Sequence, residues 1–152
     1  MNSTTISITE PQTLQEFEAY YLLRYEILRK PWNQSQGSEK DDMENECFHA
    51  MLCDENKVVK GVGRIQFNTS EEAQLRYMAI ADDSQKKGFG KKLVEYLENK
   101  AKEKGAKTII LQSRSEAVDF YNKCGYMKIK ETFLLFNEIQ HYLMSKELTN
   151  NN

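Results

Sequence analysis

At 152 residues the chain is long enough for one domain with its own core, and 23 acidic against 21 basic residues leave a net charge of −2. That balance excludes a general electrostatic pull towards nucleic acid or anionic membranes. Three cysteines without CxxC spacing and two histidines make no recognisable metal site, and no apolar run approaches membrane-spanning length.

Residues 1–9 alternate loosely, with Ile6 and Ile8 on one face, and predict a first strand. Pro11 and Thr13 then start a helix to about Arg29, stopped by Pro31, with Leu14, Phe17, Tyr21, Leu22 and Leu28 as its expected buried face. Tyr20, Arg24 and Tyr25 lie partly off that stripe. Residues 31–46 are polar and turn-rich around Trp32, and read as a solvated loop or as a substrate-covering segment. Two strands follow, 47–53 and 58–67, in which Gly61 and Gly63 suggest a bulge or a close backbone approach. Residues 68–72 read as a turn into a strand over 75–81.

Past that strand comes Asp82-Asp83-Ser84-Gln85-Lys86-Lys87-Gly88-Phe89-Gly90, and then a helix with Phe89, Leu93, Val94, Leu97 and Ala101 on one face. Gly105 is its expected C-terminal cap. A short strand over 108–112, a helix over 116–123 capped by Ser115 and closed by Gly125, and two strands over 128–136 and 140–148 complete the chain. The domain is expected to span 1–148, with 149–152 a frayed tail. The strand–helix–strand portion implies a parallel pair with a right-handed crossover, and the shorter connections imply antiparallel neighbours. The expected fold is mixed α/β: a twisted mixed sheet of about seven strands with helices on both faces.

The Gly loop carries the chemistry. The first N–H groups of the following helix lack intrahelical acceptors, the helix dipole adds positive charge, and Gly88 and Gly90 let an anion approach the backbone. Lys86, Lys87, Lys91 and Lys92 surround the spot. These features suit a phosphate or pyrophosphate, although a tight loop with solvated lysines has the same composition. Walker spacing is absent, since the glycines stand one residue apart and Leu93 follows Lys92. The dinucleotide fingerprint fails because Leu93 occupies the place of its third glycine.

Gln85-Lys86-Lys87-Gly88-Phe89-Gly90 matches the Gln/Arg-x-x-Gly-x-Gly/Ala loop of the GCN5-related N-acetyltransferases, the GNAT superfamily. Ala117-Val118-Asp119-Phe120-Tyr121-Asn122-Lys123-Cys124-Gly125-Tyr126 matches that superfamily's later Ala-x-x-Phe-Tyr-x-x-x-Gly-Phe/Tyr pattern. The chain therefore resembles a GNAT over nearly its whole length. The resemblance implies splayed central parallel strands with the pantetheine arm of acetyl-CoA between them, on the backbone of Met78, Ala79 and Ile80. It places the pyrophosphate on amides from Lys86 to Lys91, with Gln85 opening the loop. It implies that Tyr121 protonates or hydrogen-bonds the departing thiolate, a role a phenol suits, although packing beside Phe120 would also explain it. A backbone N–H of Ala79 or Ile80 would face the carbonyl oxygen as its charge grows.

Some relatives carry a glutamate base early in the strand before the loop; here that position is Gln74, which takes no proton at neutral pH. Glu72 stands two residues away and is a candidate base or a solvated turn carboxylate. Arg114 replaces the asparagine common before the second motif. The segment 138–144 is similar to the Gly-Ile-Pro-His-x-x-Met ending of a bacterial small-GNAT subgroup, with Glu138 and Gln140 replacing Gly and Pro. His141 is thus a candidate proton acceptor, whereas His49 reads as structural.

Arg24 and Trp32 are candidate contacts for the acceptor, since the first helix and the following loop shape that pocket in similar proteins. The implied function is acetyl transfer from acetyl-CoA, without metal, to a primary amine of a small molecule or protein. The missing glutamate keeps open a non-catalytic acyl-CoA-binding module, and a transferase for another acyl group is a third reading. The resemblance also suggests a homodimer through the final strands. The odd cysteine count and lack of a signal peptide predict a cytoplasmic location.

Overall fold

The computed structural model describes residues 5–148. The expected tail and residues 1–4 of the expected first strand lie outside them. The strands are β1 (Ser7–Thr9), β2 (Phe48–Cys53), β3 (Val59–Phe67), β4 (Glu72–Ile80), β5 (Thr108–Arg114), β6 (Met127–Leu135) and β7 (Ile139–Glu147). The α-helices are α1 (Leu14–Leu28), α2 (Phe89–Glu103) and α3 (Val118–Lys123). One seven-stranded sheet runs in the order β1-β2-β3-β4-β5-β7-β6. The expected parallel pair is β4 with β5, whereas β1–β2, β5–β7 and β6–β7 are antiparallel. The chain divides into two compact units: Met1–Arg64 with Tyr77–Leu97, and Ile65–Arg76 with Glu98–Asn152.

In the first unit, α1 starts at a reciprocal cap. The Glu16 N–H donates to Thr13 Oγ1 at 3.1 Å, and the Thr13 N–H donates to Glu16 Oε1 at 3.0 Å. The inward face of α1 differs from the expected one: Tyr20, Leu23, Arg24 and Leu28 are buried, whereas Leu14 is 77% and Leu22 48% exposed. The apolar period is real, but Leu14, Phe17, Tyr21 and Leu22 line a groove of about 630 Å³ opposite Gly37 and Glu39. Tyr20, Leu23 and Leu28 pack with Met51, Cys53, Val62 and Ala79. Gly63 is the close approach anticipated for β3. A Cβ there would stand 2.6 Å from Met78 Sδ and 2.8 Å from Leu97 Cδ1. Phe89, Leu93, Val94 and Leu97 of α2 are buried as the period predicts, each contributing roughly 1.5–3 kcal/mol.

The segment 31–46 is exposed over much of its length, as a solvated loop would be, but not throughout. It holds short 3-10 turns at Lys30–Trp32 and Glu44–Glu46, and it delivers Asp41 and Glu44 to buried arginines.

In the second unit, β4 begins at Glu72, which is therefore a strand residue rather than the end of a turn. Glu72 lies opposite Thr108, and the β4–β5 pairing runs to Leu75 opposite Leu111. α2 ends at Gly105, where φ is +102° and Ala106 N–H donates to Ala101 O, a left-handed cap. Ser115 makes no side-chain cap; a 3-10 turn at Ser115–Ala117 precedes α3 instead. β5 alternates, burying Ile109, Leu111 and Ser113. β6 alternates in sequence but stays exposed at the end of the strand order, where it pairs with β7. Glu98 is a buried carboxylate that the sequence did not single out. It accepts from the Tyr126 hydroxyl at 2.8 Å and from Lys146 Nζ at 3.0 Å.

Candidate active site

The Gly loop follows β4 directly. A 3-10 turn at Asp82–Ser84 leads into it, and Gln85 Nε2 donates back to Ile80 O at 3.2 Å, tying the loop to the strand end. Lys86 and Gly88 both have positive φ, +65° and +81°. At Gly88 an added Cβ would meet nothing within 4 Å, so the space beside this backbone is open. Lys92 N–H donates to Gly88 O, which makes Gly88 the residue before the helix. The N–H groups of Phe89, Gly90 and Lys91 therefore precede the first intrahelical bond and are free to meet an anion. Upstream, Met78, Ala79 and Ile80 close β4, beyond the last residue of that strand paired with β5.

The same unit holds a buried ionic network. Arg24 and Arg64 have fully buried side chains, and each Nη1 donates to Glu44 Oε2 at 2.8 Å. Arg64 also reaches Asp41 with both terminal nitrogens, at 2.7 and 2.9 Å. Two cations thus meet two anions, which makes their burial tolerable. Arg24 Nη2 donates to the Tyr20 hydroxyl, which lies 2.8 Å from His49 Nδ1. His49 Nε2 donates to Glu44 O at 2.7 Å. Arg24, expected at the acceptor, is committed to this network. Trp32 sits in the 3-10 turn after α1 and is half-buried.

The network predicts acid sensitivity. Burial holds the His49 pKa below its ordinary 6.5, with the charge on Arg24 adding to it and the bond to Glu44 O opposing. Burial would raise Glu44, but hydrogen bonding and charge from Arg24 outweigh it and leave its pKa below 4.5. Both folded values lie below the unfolded ones. The stability they contribute is complete above about 6.5 and 4.5 respectively, and is lost as pH falls through the folded values. The thermal midpoint is expected to decline from just below pH 6.5, and His49→Gln is expected to delay that onset to the carboxylate range.

In the second unit, Tyr121 lies in α3, 8% exposed, with its ring edge-on to Phe120 at 4.9 Å and to Tyr126 at 5.8 Å. Burial raises its pKa well above the ordinary 10, with Cys124 adding to it, so the phenol keeps its proton at neutral pH.

Glu72 and Gln74 share one face of β4 and one partner. Asn68 Nδ2 donates to Glu72 Oε2 at 3.2 Å and to Gln74 Oε1 at 3.0 Å, and Asn68 Oδ1 accepts from Gln66 Nε2. Asn68 is a site residue that sequence reasoning passed over, since a polar residue in a turn gives no signal of its target. His141 is buried opposite Arg114, stacked on Phe133 at 4.3 Å. Its Nδ1 lies 3.0 Å from Ile139 O, a carbonyl that can only accept, so Nδ1 carries a hydrogen. Among the described residues no group of three or more His, Cys, Asp or Glu is placed to hold a metal ion, and no helix is long and apolar enough to cross a membrane.

Known proteins are similar to this chain in sequence and in fold. The model of the acetyltransferase (GNAT) domain matches residues 24–148. The Bacillus subtilis uncharacterized N-acetyltransferase YjcF is 32% identical over 130 residues, covering 86% of this chain and 91% of that protein. An aminoglycoside 6'-N-acetyltransferase solved with coenzyme A superposes with a TM-score of 0.78 at 17% identity, over 97% of this chain and 99% of that one. The Escherichia coli ribosomal-protein-S18-alanine N-acetyltransferase gives 0.75 at 18% identity, over 97% of both chains. The two solved structures speak to fold alone, whereas the family match spans most of the chain and includes both the Gly loop and the Tyr121 motif. The chain therefore belongs to the GNAT acetyltransferase family and is an N-acetyltransferase.

Proposed function

We propose that residues 1–148 act as one domain that transfers the acetyl group of acetyl-CoA to a primary amine of a small molecule or a protein. The observation that carries this reading is the anion-ready helix start at Gly88-Phe89-Gly90, with open space at Gly88 and Lys86, Lys87, Lys91 and Lys92 around it. The coenzyme supplies an acyl group activated as a thioester. The loop amides and lysines hold its pyrophosphate, and the backbone of Met78, Ala79 and Ile80 orients its pantetheine arm. A backbone N–H of Ala79 or Ile80 stabilises the charge that grows on the acyl oxygen. Tyr121, buried and protonated, gives its proton to the leaving sulfur.

The amine must lose a proton first. Glu72, held by Asn68, and His141, whose Nδ1 is fixed on Ile139 O, are the two bases that the reading offers. Trp32 contacts the acceptor, and Arg24 supports that region from within the core. Three free cysteines fit a reducing cytoplasm. Exposed Met127, Ile129 and Leu134 on the edge strand β6 support a homodimer through this strand.

Calorimetric titration with acetyl-CoA on the wild type and Gly88→Trp tests the reading. The indole would fill the open space at the helix start. Wild-type binding weakened at least about tenfold in a variant with unchanged circular dichroism is the expected result. A folded wild type that binds no acetyl-CoA overturns the proposal.

A further inference from the structure

Tyr77 stands inside β4 at φ +57°. The other described non-glycine residues with positive φ lie between elements, at Asn33, Lys57, Lys86, Phe136 and Asn137. A bulky L-residue in that region is strained and persists only where its surroundings hold it. The Tyr77 ring has Arg24 Cζ at 4.3 Å and Arg64 Cζ at 4.9 Å from its centre, with Arg29 Cζ further out at 5.8 Å. Arg24 and Arg64 are themselves immobilised, because both side chains are fully buried and bonded to Glu44, and Arg64 is bonded twice to Asp41. A guanidinium near an aromatic ring is attractive, more so when both are dry.

The position matters as much as the strain. The left-handed residue falls just after the last β4 residue paired with β5, Leu75, and immediately before Met78, Ala79 and Ile80. A left-handed residue in a strand redirects the backbone groups that follow it. We propose that Arg24 and Arg64 clamp the Tyr77 ring and so hold β4 in the turn that presents the Met78–Ile80 backbone to the pantetheine arm. The three are positioning residues, and the three ion pairs of Arg24 and Arg64 make the clamp rigid. This inference rests on the acetyl-CoA reading above.

Acetyl-CoA titration and thermal unfolding of the wild type, Tyr77→Phe, Tyr77→Ala and Tyr77→Gly test it. Tyr77→Phe keeps the ring between the guanidinium groups and is expected to bind within about twofold of wild type. Tyr77→Ala keeps the penalty for positive φ without the clamp, so the strand relaxes and affinity falls about tenfold. Tyr77→Gly takes positive φ freely and is expected to lose only about threefold. Should Tyr77→Ala not fold, Tyr77→Leu, bulky but without an aromatic face, takes its place. A folded Ala or Leu variant that binds like wild type overturns the clamp, as does a Gly variant as weak as Ala. Lowered melting temperatures with unchanged affinity have the same consequence. Wild-type protein that binds no acetyl-CoA brings down the acetyl-CoA reading itself, and the clamp with it.

Discussion

Tyr121→Phe is expected to lower kcat about a hundredfold while leaving the KM for acetyl-CoA within a few-fold of wild type. The substitution removes one oxygen and keeps the ring, so the edge-on contacts with Phe120 and Tyr126 survive and the fold should not change. What disappears is the proton donor. Burial keeps the phenol protonated across the neutral region, so its hydrogen is present to bond to a departing sulfur as negative charge grows there. The measurement is steady-state kinetics with thiol detection, once an amine acceptor has been identified by screening. A variant with wild-type kcat would show that Tyr121 packs and does nothing more. A variant with raised KM and unchanged kcat would assign it to coenzyme binding instead.

Arg64→Met is expected to destabilise the protein by about 3–5 kcal/mol, a large fraction of the stability of a domain this size. Arg64 is fully buried and bonded to Asp41 and Glu44. Burial works against its charge, but the hydrogen bond to Asp41 and the charge of Glu44 outweigh that and raise its pKa. Methionine fills similar volume, so the loss is electrostatic: Asp41 loses the Arg64 guanidinium, and Glu44 keeps one arginine, Arg24. Equilibrium urea denaturation measures it, with the midpoint shifting and the slope unchanged. A loss below about 1 kcal/mol would place the network among weak surface pairs, contrary to its burial.

Much of the fold was legible in the sequence where one physical signal dominated. The α2 face of Phe89, Leu93, Val94, Leu97 and Ala101 is buried residue for residue, because a solvated helix with one apolar stripe has one way to bury it. Thr13 declared the α1 start, where the structure adds Glu16 as its reciprocal partner, and Gly105 declared the α2 end through its left-handed backbone. The two motifs with their spacing led to the family. The candidate site was less legible. The partnership of Asn68 with Glu72 and Gln74 depends on a turn bringing non-adjacent residues together, and the environments of Tyr121 and His141 depend on packing.

What the sequence determined by itself is therefore local and periodic: the α2 stripe, the caps, the Gly loop and the order of elements. Tertiary structure decided which face of α1 turns inward. There the apolar residues Leu14 and Leu22 stay exposed while Tyr20 and Arg24 are buried, because Glu44 and His49 supply polar partners from elsewhere in the chain. It also decided that the acidic segment before β2 neutralises two buried arginines, and that β6 remains exposed at the sheet edge despite its alternation. The physical reason is common to all three. Periodicity reports how apolar a face is, whereas burial of charge depends on a counter-charge far along the chain, and burial of a strand depends on what packs against its face.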